Sequence, residues 1–502
     1  MSVLDRSAIV APVTFNRWFM APAALAIHLC IGQVYAWSVF KTQLVTHFGS
    51  TETAVGWVFS LAIAMLGISA AIGGTWVERV GPRKSMLTAG TCWVLGFLIA
   101  SLGVTTNQLW LVFLGYGALG GVGLGLGYIS PVSTLMKWFP DRPGMATGLA
   151  IMGFGGGALI ASPVSAQLME LFSGSAEKTE QASALVPSFL VLAASYALII
   201  LLGAFVIRVP HPDWKPAGFD PPQQKPNTMR TNKNVTAAQA IRTPQFWLLW
   251  TVLFTNVTAG IGLLESASPM IQSYFPISAA AAAGFVGLLS LGNMGGRFVW
   301  SSTSDIIGRK NIYVMYLGVG LALYIIWALF GNVSLVLFIA TAFIIISFYG
   351  GGFATIPAYL RDMFGTLQVG AIHGRLLTAW SAAGIAGPLI VNLVQDTVRG
   401  GNPDASGAEL YQPSLFIMVG VLAIGFIANL LVKPVNEKHH ASEKDMAKLA
   451  GHGKLGTSDQ QIRVNAGGPL HTLAAWALTL LVTSGLVYGL AQTVIRSLAL
   501  FS

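Results

Sequence analysis

The stretch that decides the fold is VERVGPRK at residues 77–84, together with its second copy, SDIIGRK at residues 304–310. Each copy follows a long apolar segment and consists of an acid, two further residues, a glycine and then a basic pair, with Pro82 inserted before the first pair. Glu78 and Asp305, the two acids, are 227 positions apart. A motif that recurs at such a distance indicates that the chain repeats itself.

A second pair of landmarks supports the repeat. Phe139 precedes Pro163 by 24 residues, Phe364 precedes Pro388 by 24 residues, and the two pairs are 225 positions apart. Two independent landmarks with nearly the same displacement indicate an internal duplication. Duplicated halves around a central site are common among membrane carriers.

The composition places the duplicated chain in a membrane. Of the 502 residues, 54% are hydrophobic and 9% are charged, whereas a soluble domain has about 25% charged residues. About twenty apolar residues cross the hydrocarbon core, and backbone groups in lipid must be satisfied within the segment, so the spans are helices. The sequence predicts thirteen of them, at about 18–40, 54–75, 86–103, 109–134, 145–168, 187–208, 244–272, 280–303, 311–330, 334–358, 370–394, 413–432 and 471–497.

The basic residues predict the orientation. The chain has 28 lysines and arginines against 19 acids, a net charge of +9. If the N-terminus is cytoplasmic, every basic residue lies on the cytoplasmic side except Lys41, Lys178, Arg399 and Arg496. This asymmetry follows the positive-inside rule. We therefore expect a multi-pass protein of the cell (inner) membrane with its C-terminus outside, and no nucleic-acid partner.

Polar segments divide the chain. Residues 209–243 contain six prolines and form a predicted cytoplasmic linker between an N-terminal six-helix half, 1–208, and a C-terminal six-helix half, 244–433. Residues 434–469 form a predicted polar tail linker, and 470–502 an extra transmembrane helix. That helix is either a fused accessory subunit or a peripheral helix that steadies the bundle.

The paired loops, the twelve-span plan and the central linker resemble the major facilitator superfamily, over about residues 15–433. The expected fold is an all-α membrane bundle of twelve helices in two six-helix halves, plus one extra C-terminal helix. The loops are expected to gate the carrier, with the acid capping the next helix. The predicted gating residues are Glu78, Gly81, Arg83, Lys84, Asp305, Gly308, Arg309 and Lys310.

Within that superfamily, four stretches resemble the oxalate/formate antiporter family: GQVYAWS from residue 32, KWFPDR from 137, TPQFWLLW from 243 and HGRLLTAW from 373. The family's oxalate exchanger is understood to hold its dianion with two cations, one on span 8 and one on span 11. Arg297 matches the first, whereas Trp380 stands at the second position. The resemblance therefore implies a small monocarboxylate rather than oxalate.

Arg297 also stands out by its depth. It precedes Asp305 by eight residues, about 12 Å along a helix, and half of the hydrocarbon core is about 15 Å. A charge near the bilayer centre marks a functional site unless it is paired structurally, and the alternative is that Arg297 braces the cytoplasmic gate. Other predicted substrate-binding residues, each of which could instead serve packing, are Tyr35, Trp37, Tyr128, Tyr349, Trp380, Asn256 and Gln33.

Three residues are candidates for coupling. Glu265 is the acid placed within a span, towards the outer end of span 7, where it either relays protons or sits at the interface. His28 and His373 could titrate near neutral pH, although a lone histidine in a helix is usually hydrogen-bonded within the fold. Exchange and proton symport therefore both stay open.

The sequence does not favour an enzyme. GYGALG at residues 115–120 has the spacing of a dinucleotide motif, but it lies inside an apolar span rather than after a strand. No metal cluster and no nucleophile–base pair stands out, so we expect no cofactor, no metal and a monomeric carrier. The alternatives are a proton-coupled exporter of drugs or hydrophobic cations, and a non-transporting carboxylate sensor.

Overall fold

The chain is all-helical in a computed structural model that describes residues 4–174, 182–219, 229–231, 233–277, 279–443, 445, 468–498 and 500. Twelve helices in the described part are long and apolar enough to cross a membrane, and a thirteenth of 29 residues, α8, packs among them. The helices are α1 Arg17–Ala36, α2 Ala54–Val80, α3 Pro82–Thr105, α4 Leu109–Trp138, α5 Pro143–Ser173, α6 Ala182–Val206, α7 Pro244–Tyr274, α8 Ala279–Ile307, α9 Arg309–Phe330, α10 Leu335–Phe364, α11 Val369–Gly401, α12 Gly407–Leu431 and α13 Gly468–Ile495.

Two seams join the halves α1–α6 and α7–α12. In one seam α5 packs along α8, and in the other α2 packs along α11. Glycines permit the close approach, because a Cβ on Gly148 of α5 would lie 2.6 Å from the carbonyl oxygen of Arg297, and one on Gly74 of α2 would lie 2.8 Å from the Cα of Ala371. The seam helices α5 and α11 also carry the two prolines that mark the duplication.

Helix α13 lies against the α5–α8 seam. It contacts α1, α5 and α6 of one half and α8 of the other. Its Gly489 meets Leu159 of α5, and its Thr493 faces Gly287 of α8. Near its start, the ring of His471 hydrogen-bonds the carbonyl oxygen of Val206 at 2.8 Å. The extra helix therefore touches both halves along one side of the bundle.

The predicted domain limits and the orientation of the termini stay predictions. Much of the central linker is described and packs on the bundle, where for example the backbone N–H of Val235 donates to the carbonyl of Phe364 at 2.9 Å. Residues 220–228 and 232 of that linker, and most of the predicted tail linker, lie outside the described residues.

Candidate functional site

Arg297 lies near the middle of α8 and is fully buried. Its Nε donates to Oδ1 of Asn293 at 2.9 Å, and its Nη1 to the carbonyl oxygen of Ile151 at 3.4 Å. Its Nη2 has no hydrogen-bond partner. Gly155 of α5 leaves room for the guanidinium, because a Cβ there would lie 2.7 Å from Nε.

Aromatic rings from both halves surround the guanidinium. We call the group the Arg297 cluster; its members are Tyr35 of α1, Tyr128 of α4, Phe154 of α5, Arg297 of α8, Tyr349 and Phe353 of α10, and Trp380 of α11. The Arg297 guanidinium carbon lies 5.2 Å from the centre of the Phe353 ring, and Phe353 is 4.4 Å from Trp380 between ring centres. Tyr128 lies 5.6 Å from Trp380. The cluster therefore bridges the two halves.

The cluster contains hydrogen-bond donors without acceptors. The hydroxyls of Tyr35, Tyr128 and Tyr349 and the indole N–H of Trp380 are buried without a hydrogen-bond partner, as is Nη2 of Arg297. The hydroxyls of Tyr35 and Tyr128 face Arg297, and that of Tyr35 also faces Tyr349, but none of these approaches has the geometry of an ordinary hydrogen bond. A buried donor left unsatisfied costs about 1–3 kcal/mol. A ligand that brings acceptor atoms and a negative charge would satisfy this arrangement.

No carboxylate competes for that place. Within the residues that the structure describes, no ion pair involves Arg297. Nor do three His, Cys, Asp or Glu side chains come together there as a metal site would require. The donor set of the cluster, a guanidinium with phenols and an indole, suits an anion rather than a metal ion.

The structure brings five of the eight predicted binding residues into the cluster: Arg297, Tyr35, Tyr128, Tyr349 and Trp380. Two others point away from it, because Trp37 packs on Tyr116 with ring centres 4.4 Å apart and Gln33 accepts a hydrogen bond from the Tyr116 hydroxyl at 3.1 Å. Asn256 lies against Gly352 of α10, and its Oδ1 has no partner.

Sequence reasoning missed Phe154 and Phe353. Phe154 lies between Tyr128 and Trp380, 5.4 Å and 5.3 Å from them by ring centres. A signal was available for both residues, since Phe154 directly precedes the glycine run 155–157, and Phe353 follows Tyr349 by one helical turn. The glycine run matters because small residues let helices approach closely, and Gly155 leaves room for the Arg297 guanidinium beside Phe154.

The candidates for coupling occupy different places. Glu265 is exposed and interacts with Lys41 and with the side chain of Asn392, away from the cluster, so its coupling role stays a prediction. His28 Nε2 hydrogen-bonds the carbonyl oxygen of Tyr128 at 3.1 Å, which is the structural role expected of a helical histidine. His373 differs, because both of its ring nitrogens are buried without a partner.

The acids of the two repeated loops join the halves on the side of the bundle that carries these loops and their lysines and arginines, which we call the basic side. Asp305 accepts hydrogen bonds from the backbone N–H groups of Gly144 and Met145, both at 2.9 Å. Glu78 accepts one from the backbone N–H of Gly370 at 3.1 Å and one from Lys137 at 2.8 Å. Each acid therefore caps the N-terminus of a seam helix in the opposite half, α5 or α11.

This arrangement corrects the expectation that each acid caps the next helix. Gly81 and Gly308, with φ of 87° and 89°, turn the chain sharply at the loop. The acid lies three residues before this glycine, about one helical turn. Its side chain is therefore on the face of the helix that meets the other half. There a seam helix of the other half presents its free backbone N–H groups, which attract a carboxylate.

The basic residues of the loops bind within their own half. Arg83 donates to the carbonyl oxygens of Ala204 and Phe205 at the end of α6, and Lys310 donates to those of Leu430 and Val432 at the end of α12. Arg309 pairs with Asp305 and with Asp362. Lys84 is exposed. Arg83 and Lys310 are again 227 positions apart, so the repeat extends to these contacts.

Comparison with known proteins agrees with this architecture. The family model of the Major Facilitator Superfamily matches residues 23–388. The oxalate:formate antiporter of Oxalobacter formigenes is 28% identical over 376 residues, 74% of this chain and 83% of the relative. The apicoplast pyruvate carrier 1 of Toxoplasma gondii is 22% identical, covering 83% of this chain and 89% of the relative.

Solved structures share the fold. The fucose transporter FucP in its outward conformation superposes with a TM-score of 0.60 at 15% identity, covering 82% of this chain and 97% of that one. A bacterial homologue of the iron transporter ferroportin, in an outward-facing state, superposes with a TM-score of 0.58 at 12% identity, covering 82% and 98%. At this identity the likeness concerns the fold alone.

Proposed function

This chain belongs to the Major Facilitator Superfamily, and we propose that it is a secondary active transporter of a small organic anion that works by alternating access. The proposed substrate is a monocarboxylate such as formate, lactate or pyruvate, with oxalate a poorer one. Relatives named as an oxalate:formate antiporter and a pyruvate carrier support this class. Antiport against a second anion and symport with a proton are both compatible with it.

The observation that carries the proposal is the Arg297 guanidinium, which is fully buried between the halves, has no acidic partner among the described residues and has no hydrogen-bond partner for its Nη2. A guanidinium presents a planar fork of N–H donors that matches a carboxylate in two parallel hydrogen bonds. A charge this deep in a membrane protein is costly unless a counter-charge or water accompanies it. A bound carboxylate supplies that counter-charge.

Charge balance favours one carboxylate over two. Arg297 is the cation of the cluster, and the neighbouring Trp380 adds an uncharged indole. A monocarboxylate brings the buried site to neutrality, whereas a dianion leaves one negative charge without a partner at a cost of several kcal/mol.

The other side chains of the cluster suit the rest of a small acid. The hydroxyls of Tyr35, Tyr128 and Tyr349 supply further donors for carboxylate or carbonyl oxygens. The faces of Phe154 and Phe353 give an apolar wall for a methyl group or a hydrogen. Because these groups come from both halves, a substrate would be enclosed between them.

Transport of labelled acids into proteoliposomes tests the proposal. Purified full-length protein is reconstituted, and uptake of radiolabelled formate, lactate, pyruvate and oxalate is compared for wild type, Arg297→Gln and Arg297→Lys. Arg399→Gln, an exposed arginine of α11, is the matched control. Breaking a buried ion pair costs roughly 3–5 kcal/mol, so Arg297→Gln should reduce uptake of a monocarboxylate at least about a hundredfold.

The expected result is saturable uptake of a monocarboxylate by wild type and by Arg399→Gln, its loss in Arg297→Gln, and weak residual uptake in Arg297→Lys. Normal uptake by a correctly folded Arg297→Gln variant would refute the assignment of Arg297 as the anion anchor. Absence of uptake of all four acids by wild type would turn the search to cationic or neutral substrates.

A further inference from the structure

We infer that Asn293 is a positioning residue of the proposed substrate site: its neutral amide holds one donor of the Arg297 guanidinium and leaves the remaining donors, with the whole charge, to a carboxylate. The inference rests on the proposed function and adds a residue that acts through Arg297. Its basis is one hydrogen bond within α8, from Nε of Arg297 to Oδ1 of Asn293 at 2.9 Å. Asn293 is 4% exposed, so this bond lies inside the bundle.

The hydrogen bond sets the depth of the guanidinium in the membrane. Long side chains of a helix point back towards its N-terminus, so Arg297 reaches towards the residue four positions earlier. Arg297 and Asn293 precede Asp305 by eight and twelve residues, which is about 12 Å and about 18 Å along the helix. The middle of the hydrocarbon core lies about 15 Å from its edge, between these two depths. Asn293 therefore holds the guanidinium at the level where a midplane site would bind its substrate.

The same bond determines which edge of the guanidinium stays free. A carboxylate can accept two parallel hydrogen bonds from a guanidinium, either at Nη1 and Nη2 or at Nε and Nη2. Nε is engaged by Asn293. Nη2 has no partner, and Nη1 donates one of its hydrogens to the carbonyl oxygen of Ile151 at 3.4 Å. The edge formed by Nη1 and Nη2 is therefore the one that a carboxylate can reach.

Neighbouring glycines keep the amide and the guanidinium in this arrangement. Gly350 of α10 lies against Asn293, since a Cβ on residue 350 would lie 2.8 Å from Oδ1 of Asn293. On the other side Gly155 of α5 lies against the guanidinium, since a Cβ on residue 155 would lie 2.7 Å from Nε of Arg297. The hydrogen-bonded pair is thus packed between helices of both halves, which restricts the rotation of either side chain.

The amide matters because it accepts a hydrogen bond without carrying a charge. The substitution Asn293→Asp would keep the shape and the acceptor oxygen but would give Arg297 a permanent counter-charge. A substrate carboxylate would then bring an unpaired negative charge into a buried site that is already neutral, which is costly. Asn293 instead orients the guanidinium and leaves its charge to the anion. Accordingly, no ion pair involves Arg297 in the part of the chain that the structure describes.

Stability and transport together separate this role from a packing role. If Asn293 only filled space and satisfied Nε, Asn293→Asp would be tolerated, because it keeps the acceptor oxygen and neutralises a buried charge. If Asn293 keeps Arg297 available for an anion, the same change competes with the substrate. Asn293→Ala removes the acceptor oxygen but leaves the charge of Arg297 unpaired. The two roles therefore predict opposite orders for the two variants in transport.

Two measurements on purified full-length protein test the inference. The first is the concentration dependence of the uptake of radiolabelled pyruvate and formate into proteoliposomes, which gives KM and the maximal rate. The second is the thermal unfolding temperature in detergent without ligand. The variants are Asn293→Asp and Asn293→Ala. The matched control is Asn332→Asp, which makes the same change at an exposed turn between α9 and α10.

We expect Asn293→Asp to raise KM at least about a hundredfold and to unfold about 2 °C or more above wild type, because its carboxylate pairs with Arg297. Asn293→Ala should raise KM only about tenfold, with a maximal rate that changes less than KM does. Asn332→Asp should match wild type in both measurements.

A KM of Asn293→Asp equal to that of wild type, or below that of Asn293→Ala, would overturn the inference and leave the proposed function intact. An unfolding temperature of Asn293→Asp below that of Asn293→Ala would overturn it as well, because the carboxylate would then not pair with Arg297. Failure of wild type to take up either acid would instead remove the proposed function, and the inference with it.

Discussion

Replacement of Asp305 by asparagine should open the basic side of the carrier. Asp305 caps α5 of the other half through two backbone N–H groups, and its side chain is 13% exposed. Hydrogen bonds to a charged acceptor contribute about 1.5–3 kcal/mol each and neutral ones about 0.5–1.5 kcal/mol. Asparagine keeps the size and one acceptor oxygen.

Two charged hydrogen bonds are replaced by one neutral hydrogen bond, so the expected loss from the closed state is about 2.5–4.5 kcal/mol. This loss corresponds to a shift of the equilibrium towards opening of roughly 70- to 2000-fold. The ion pair between Asp305 and Arg309 lies within one half, so its loss affects the closed and the open state alike and does not change this estimate. The shift should reach the second seam if the two halves move as rigid bodies.

A cysteine at the second seam measures the shift. Ser133 of α4 is 4% exposed and lies against Gly370 at the α2–α11 gate, far in sequence from Asp305. In a background with Cys30 and Cys92 replaced by alanine, Ser133→Cys should react with a water-soluble maleimide at least about 70 times faster when Asp305→Asn is present. Asp213→Asn, an acid whose side chain is 86% exposed on the linker, is the control.

An unchanged maleimide rate in Asp305→Asn would refute the reasoning, since it would mean that the α5 cap does not hold the closed state. An equal acceleration by Asp213→Asn would show that the rate reports surface charge rather than gate opening. A rate increase confined to cysteines near Asp305 would contradict rigid-body movement of the halves.

Two further predictions concern the same seams. Glu78→Gln should accelerate the modification of Ser133→Cys less than Asp305→Asn does, because Glu78 caps α11 through one backbone N–H rather than two; an equal or larger effect would contradict the ranking. Gly489→Leu should lower the free energy of unfolding by about 1–3 kcal/mol through overpacking, because Leu159 lies 2.8 Å from the position of a Cβ on residue 489. Thermal unfolding in detergent measures this loss. Val487→Ala, at an exposed position of α13, is the control and should leave the free energy of unfolding unchanged.

Much of the fold could be predicted because the membrane imposes it. The length of each apolar segment predicts where the helices lie, and the duplication predicts which helix of one half corresponds to which helix of the other. The correspondence extends to Arg83 and Lys310, each of which caps the last helix of its own half. The depth of Arg297 in the membrane could also be predicted, because the number of residues between Arg297 and Asp305 on the same helix gives the distance between them. These predictions depend on distances along one helix or on the repeat.

The remaining errors concern which face of a helix meets which neighbour. Trp37 and Tyr35 are two residues apart, and helical periodicity alone places such residues on roughly opposite faces of a helix. Trp37 therefore faces Tyr116, whereas Tyr35 faces the cluster. Likewise, Asp305 and Gly144 are 161 residues apart in the sequence, and no local sequence pattern predicts their contact. Apolar spans carry too little amphipathic contrast to reveal such pairings.

Each of the two seam helices of the C-terminal half carries both a residue of the Arg297 cluster and a contact between the halves. Helix α8 carries Arg297 and, eight residues later, Asp305, while α11 carries Gly370 at its start and Trp380 farther along. A rigid helix cannot shift its gate contact without shifting its cluster residue. When an empty carrier changes between its two states, the Arg297 guanidinium must move past Tyr35 and Tyr128 of the other half without a counter-charge. In a loaded carrier the guanidinium and the bound carboxylate would move together as a neutral pair. If Arg297 binds the anion as proposed, the same charge also discourages movement of the empty carrier. Exchange of one anion for another requires this, whereas the empty carrier of a symporter must return.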